Sequence, residues 1–359
     1  MIRDEMRKDS KLTKKQKFLL FAAVMTGAAM LSAAFLMKST RPCALYDIQV
    51  RAAEQMRRCM DAVKAEKARR GISLSDEDIF GTGLIGEDFN FITSTSGDIR
   101  AKRTSTDPDM AALLVRMLDE ASLAEGDVLA CSFSGSFPAL NIATLCACDA
   151  MGIKPVYTAS VGASTWGANN PELSSPEMLV MLYEDGLIRE APALITPGGG
   201  GDTGRVPDEE SFALIWERVV SLGYPVMVKE DFAANVAAKK AIFDADGAEA
   251  FLSAGGNITS LGRNMVTDLV GQGLIRERIS SVNSDSGLLE LYLHEGKPAI
   301  LLLNIRQMVS DYGIPFDPES RGAIGESAVY REVVYPVWLI AAGLFVEALI
   351  MCLYRSLKK

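Results

Sequence analysis

Three turns carry the residue types and spacing best suited to holding an anion. The first is Ser132-Phe133-Ser134-Gly135-Ser136, followed at once by Pro138 and a helical run. Its hydroxyls, its peptide N–H groups and the positive end of the following helix dipole all attract negative charge. The plainer roles are a helix cap for Ser136 and a turn for Gly135. The second is Pro197 to Arg205, PGGGGDTGR, where glycines such as Gly199 and Gly200 allow close backbone approach and positive φ. Asp202 and Arg205 are its polar tips. The third, Gly255 to Ser260, presents Gly256 and Asn257. The candidate ligand-binding set is Ser132, Ser134, Gly135, Ser136, Gly199, Gly200, Asp202, Arg205, Gly256 and Asn257, expected to share one pocket.

Other chemistries have weaker signatures. The glycine turn is not GxxxxGK[ST] and no Lys follows it, which disfavours a nucleotide P-loop. Ser134 lies in S-F-S-G-S rather than G-x-S-x-G, so the nucleophile-elbow signal is absent. His294, the single histidine, would have to serve any Ser–His–Asp relay or histidine metal site. It lies in LYLHEGKP, where a surface or helix-end role is expected. Lys229 allows Ser–Lys chemistry but has no motif around it, and no metal constellation stands out. No cofactor is expected.

The elements that must position these turns alternate. Strands are expected at 127–132, 154–162, 192–196, 225–229, 249–254 and 297–303. Helices are expected at 44–70, from 107 to about 123, and at 138–151, 208–222, 231–243, 263–271 and 285–295. The stretch 72–105 reads as loops with short extended pieces. Strand–helix–strand units of about 35 residues imply parallel pairing with right-handed crossovers. The expected fold is α/β: a layered, mostly parallel sheet with Rossmann-like strand–helix units. In such sheets ligands bind beyond the carboxyl ends of the strands.

The two ends differ from this pattern. Phe18 to Met37 is a run of twenty residues without charge, long enough to cross a bilayer as a helix. Pro336 to Tyr354 is a second, interrupted only by Glu347, with Trp338 and Tyr354 near its ends. The first run has no small-x-small cleavage site after it and reads as an uncleaved anchor. Ala23/Gly27 and Ala28/Ser32 form a small-residue packing face, and Glu347 is a carboxylate in mid-span. Seven basic residues precede the first run and three follow the second, so both termini are expected in the cytoplasm. The expected organisation is a basic tail (1–17), a span (18–37), a juxtamembrane segment (38–106), an extracytoplasmic α/β domain (107–335), a span (336–354) and a short tail (355–359).

The whole chain has 359 residues, a formal charge of −9 and a mean hydropathy of +0.14. Lys38 to Tyr335 holds 27 basic and 42 acidic side chains, a net −15. That field excludes a general nucleic-acid binder and demands a local positive patch for any polyanion. Cys43, Cys59, Cys131, Cys146 and Cys148 lie in this segment with no disulfide-framework or CxxC spacing, and read as core residues.

GTGLIGE (81–87), AKRTSTDP (101–108), CSFSGSFPALN (131–141), MGIKPVYTASVGAS (151–164) and ITPGGGGDTGR (195–205) occur in order between the two terminal runs. This set resembles the poly-gamma-glutamate system protein family. The resemblance implies an accessory membrane component of bacterial poly-γ-glutamate synthesis or export, with the membrane subunits of the synthase as partners. The outer domain is then expected to bind a small anion or a polymer end. No catalytic residue is implied. The strand–SxSG–helix piece is also similar, over about 35 residues, to sugar-isomerase-type domains whose Ser/Thr loops hold a phosphate. Ser132, Ser134 and Ser136 match that pattern. A polymer-processing hydrolase or transferase and a phosphosugar-binding module are the alternative functions.

Overall fold

The computed structural model describes residues 12–204, 208–263 and 272–357. Arg205 and nearly all of the expected helix 263–271 lie outside the described residues. Strands in chain order are β1 (Ser39–Pro42), β2 (Thr93–Thr95), β3 (Val128–Phe133), β4 (Lys154–Ser160), β5 (Ala163–Ser164) and β6 (Leu194–Thr196). They continue with β7 (Ala250–Ala254), β8 (Gly273–Ile275), β9 (Ala299–Leu302) and β10 (Arg331–Val334). The helices begin with α1 (Lys14–Leu36), α2 (Tyr46–Arg69), α3 (Ile99–Ser105), α4 (Asp109–Glu120), α5 (Pro138–Met151) and α6 (Ser175–Glu184). Then come α7 (Glu209–Val220), α8 (Phe232–Ala245), α9 (Ile258–Leu261), α10 (Leu288–Glu295), α11 (Ile305–Tyr312) and α12 (Val337–Ser356).

Short apolar runs without polar alternation mark strands buried on both faces. VLACSF, AFLSA and AILL have that form and lie in one six-stranded sheet of order β6-β4-β3-β7-β9-β8. Every pairing is parallel except the β8 edge, which runs antiparallel to β9. Alternate residues serve opposite faces. Leu129, Cys131, Phe133, Leu252 and Ile300 join a core with α2, α4 and α5, whereas Ala130, Phe251 and Leu301 join one with α8 and α10. The chain leaves β3 toward β4 and β6, then returns to β7 on the other side of β3. The winding direction therefore reverses between β3 and β7.

Some expectations need correction. The segment 225–229 is not a strand: it makes a single parallel bridge, Ile195 to Val226, and leaves Val228 exposed. Val228 buries too little to anchor the segment, and one bridge does not make a strand there. Helix α3 lies within the stretch expected as loops and extended pieces, with Asp98 as its N-cap. Helices α6 and α11 were also not anticipated, although Ser174 and Glu177 form a capping box at the start of α6.

The chain divides into two units, Ala44–Tyr330 and the terminal segments up to Cys43 and from Arg331. The larger unit takes in α2, which buries Ala52, Met56, Cys59 and Val63 in the α4–α5 core. Gln49 is fully buried there and donates to the carbonyls of Ala112 and Val329. Cys59, Cys131, Cys146 and Cys148 are buried free thiols, with Cys59 Sγ 3.9 Å from Cys146 Sγ.

In the terminal unit, α1 and α12 are both long and apolar enough to cross a membrane. They pack against each other, and β1 pairs with β10 antiparallel. Close approach uses Gly27, which faces the Glu347 carboxylate, and Gly343, which faces Met30.

Candidate functional site

The carboxyl ends of β3, β4, β6 and β7 meet at one cleft of about 260 Å³. The β3 turn supplies Ser134 and Ser136, the β4 turn Ser160 and Gly162, and the β6 turn Gly198, Gly199 and Gly200. Gly256, Asn257 and Ile258 follow β7, and Ser94 and Thr95 close the rim from β2. Register explains the convergence, because Phe133 pairs with both Ala159 and Ala254, so these strands end at one level.

The turns are held together by backbone lying on backbone. A Cβ on Gly162 would sit 2.6 Å from the Gly199 nitrogen, and one on Gly198 would sit 2.6 Å from the Gly162 nitrogen. One on Gly135 would sit 2.8 Å from the Val161 carbonyl oxygen, and one on Gly167 would sit 2.7 Å from that of Gly135. Gly162 N–H donates to the Pro197 carbonyl and Ala168 N–H to that of Gly135. Gly198 and Gly199 have φ of +72° and +68°, open to glycine at little cost.

The cleft presents donors. Ser134 Oγ accepts the Ser136 N–H at 3.0 Å, and Ser136 Oγ accepts the Ser164 N–H at 3.1 Å. Each hydroxyl keeps its own proton for an outside acceptor. Helix α5 starts directly behind this turn with Pro138 in its first turn, bringing the positive end of its dipole. Among the described residues, no charged side chain lines the cleft.

Two buried cations support it from beneath. Lys239 of α8 pairs with Asp202 at 2.5 Å, and both side chains are at most 1% exposed. Asp202 also accepts the Gly198 N–H at 2.9 Å, while Lys239 reaches Thr259 Oγ1 at 3.1 Å. This pair ties the glycine turn to the turn after β7. Asn235 adds hydrogen bonds to the carbonyls of Gly201 and Lys229.

The second cation is Lys102 of α3, 2% exposed. It donates to the Ser136 carbonyl and to Ser164 Oγ, and lies over the Phe137 ring at 3.7 Å. Burial pushes its pKa down to about 7. The unfolded chain holds that proton up to about pH 10.4. Between those values the unfolded state binds more protons than the folded state, so stability rises with pH across the window. Below pH 7 the cost of the buried charge is present in full, on the order of 4 kcal/mol. Lys102→Met is therefore expected to be more stable than the parent at pH 6.5. That advantage shrinks toward pH 10, with a slope approaching 1.4 kcal/mol per unit. Denaturant unfolding of both proteins checks this, and parallel pH profiles would refute it.

Of the residues expected from sequence, Ser134, Ser136, Gly199, Gly200, Gly256 and Asn257 line the cleft. Gly135 packs beneath it, and Asp202 is the buried ion-pair partner. Ser132 Oγ is fully buried in β3 without a hydrogen-bond partner among the described residues, on a register row with Thr158 and Ser253. Arg205 lies outside the described residues. His294 is away from the cleft, with Nδ1 at 3.2 Å from the Ile279 carbonyl. Lys229 does not line the cleft either.

Sequence reasoning missed Ser94, Thr95, Ser160, Gly162, Lys102 and Lys239. The AKRTSTDP segment and the single Lys-Lys step in α8 were the visible signals, and neither names a partner.

Comparison with known proteins adds no assignment: no family model, no curated protein and no solved structure matches the chain. The class of protein is therefore defined by fold and site alone. It is an α/β domain with a six-stranded, mostly parallel sheet and a hydroxyl- and amide-lined cleft at its carboxyl edge, preceded and followed along the sequence by an apolar helix.

Proposed function

We propose that the protein is a membrane-anchored, anion-binding component of a bacterial poly-γ-glutamate synthesis or export system. The two terminal helices span the cytoplasmic membrane with both termini inside, contact the membrane subunits of the synthase, and hold the domain outside. The observation that carries the reading is the donor-lined cleft, without a carboxylate among its described residues, in a segment of net charge −15. The reversal of winding between β3 and β7 supports it, as does the Rossmann-like strand–helix unit of β3, α5 and β4. The acidic exterior repels a finished polyanion while the cleft grips one carboxylate end. A second reading, a phosphosugar-binding module, draws on the serine turn at the start of α5.

Deletion of the gene in its own host, with γ-glutamyl polymer measured in cytoplasm, surface and medium, tests the function. Loss or misplacement of polymer is expected, and complementation with Ser134→Ala/Ser136→Ala should fail to restore it. Altered chain length at normal amount would replace the reading by a processing enzyme. Unchanged polymer in every fraction would remove it.

A further inference from the structure

An ammonium group buried without a carboxylate is expensive, and such groups are normally paired or neutral. Among the described residues, Lys102 forms no ion pair. Its neighbours are the Ser136 carbonyl, the Ser164 hydroxyl, the Phe137 ring and the backbone near Gly97. The charged groups of the surrounding elements are engaged elsewhere. On its own helix, Arg100 pairs with Asp98, and Arg103 pairs with Glu77 and Asp317. On α11, Arg306 lies over the Phe316 ring and Asp311 accepts from Gln307. The one carboxylate of α5, Asp149, is in its last turn and bonds Gln55.

Lys102 is instead wired to the cleft. It bonds the carbonyl of Ser136, whose peptide with Phe137 is trans, so the Phe137 N–H points to the opposite side. That N–H meets no acceptor among the described residues. Lys102 also bonds Ser164, whose N–H holds Ser136 Oγ. The first contact polarises the Ser136–Phe137 peptide and strengthens the Phe137 N–H as a donor, and the second ties Lys102 to the residue whose N–H holds the cleft-lining Ser136 Oγ.

We propose that Lys102 is the buried counter-charge of the cleft. It carries a proton when an oxyanion, a carboxylate or a phosphate, is bound by the Ser134–Ser136 turn, and it loses affinity for that proton when the cleft is empty. The inference rests on the anion-binding reading above and deepens it. Binding is then coupled to proton uptake by Lys102, and the residue is kept at a cost to the stability of the empty protein.

Calorimetry on the full chain in detergent tests the coupling, with an N-acetylated γ-linked glutamate trimer and with sulfate, neither of which titrates near pH 7.5. Comparing two buffers of different ionisation enthalpy gives the protons taken up. The wild type is expected to take up roughly three-quarters of a proton per anion bound at pH 7.5, given half-titration near 7. Binding by the trimer alone assigns a carboxylate ligand, and binding by sulfate alone a phosphate-like one. Lys102→Met is expected to bind at least about 10-fold more weakly, with no proton uptake, through loss of one charge-assisted contact. Binding without proton uptake in the wild type, which needs no variant, would overturn the role of Lys102 and leave the cleft reading standing. So would undiminished binding by Lys102→Met. Absence of binding by the wild type to either probe, or binding untouched in Ser134→Ala/Ser136→Ala, would overturn the cleft reading and this inference with it.

Discussion

Replacing Lys239 with methionine is expected to cost about 3–5 kcal/mol of folding stability, the usual penalty for leaving a buried charge without its partner. Asp202 is 1% exposed and has Lys239 as its only ion-pair partner among the described residues. With the ammonium gone, the carboxylate keeps one N–H from Gly198, which is too little to replace water. The second variant separates charge from packing. Asp202→Asn keeps an acceptor for Gly198, and Asn tolerates the φ of +68° found there. The double variant Asp202→Asn/Lys239→Met is therefore expected to recover more than half of the loss. The coupling energy from the four proteins, read by thermal unfolding of the full chain, measures the pair. Additive single effects would show that the two side chains act independently.

Gly162→Ala is expected to remove anion binding by about 100-fold or more while leaving the protein folded. The added Cβ would lie 2.6 Å from the Gly199 nitrogen and 3.2 Å from the Gly198 carbonyl carbon, and backbone cannot swing aside as a side chain can. The φ of Gly162 is not in the left-handed region, so the cost is one of space alone. Overpacking of this kind costs about 1–3 kcal/mol. The β6 turn must move by a fraction of an ångström to 1 Å, enough to misplace donors that act together. Gly322→Ala, whose nearest neighbour would be a side-chain oxygen of Glu326 at 3.7 Å, is the control and is expected to bind as the parent does. Retained trimer or sulfate binding in Gly162→Ala would show that the β6 turn does not shape the site.

The sheet was legible because its strands need little context. VLACSF and AFLSA are apolar on both faces, and Gly152 closes α5 at the expected residue with φ of +74°. The apolar ends were legible for the same reason, since span length follows from composition. Where local sequence is polar and short, the reading failed. Helix α3 is seven residues with Lys102 and Arg103 inside it, and it is held by the pairing of Arg103 with the distant Asp317, despite the cost of burying Lys102. A weak propensity of that kind is decided by contacts far along the chain, here 214 residues away.

By itself, the amino-acid order determined the strand–helix alternation, the three donor-bearing turns and the two apolar ends, because each depends on neighbours within a few residues. The tertiary structure alone decided that those turns share one cleft, that Ser94 and Thr95 close it, and that Lys102 and Lys239 stand beneath it. Strand order and register set those distances, and they arise from burying both faces of the sheet at once, which no local pattern encodes.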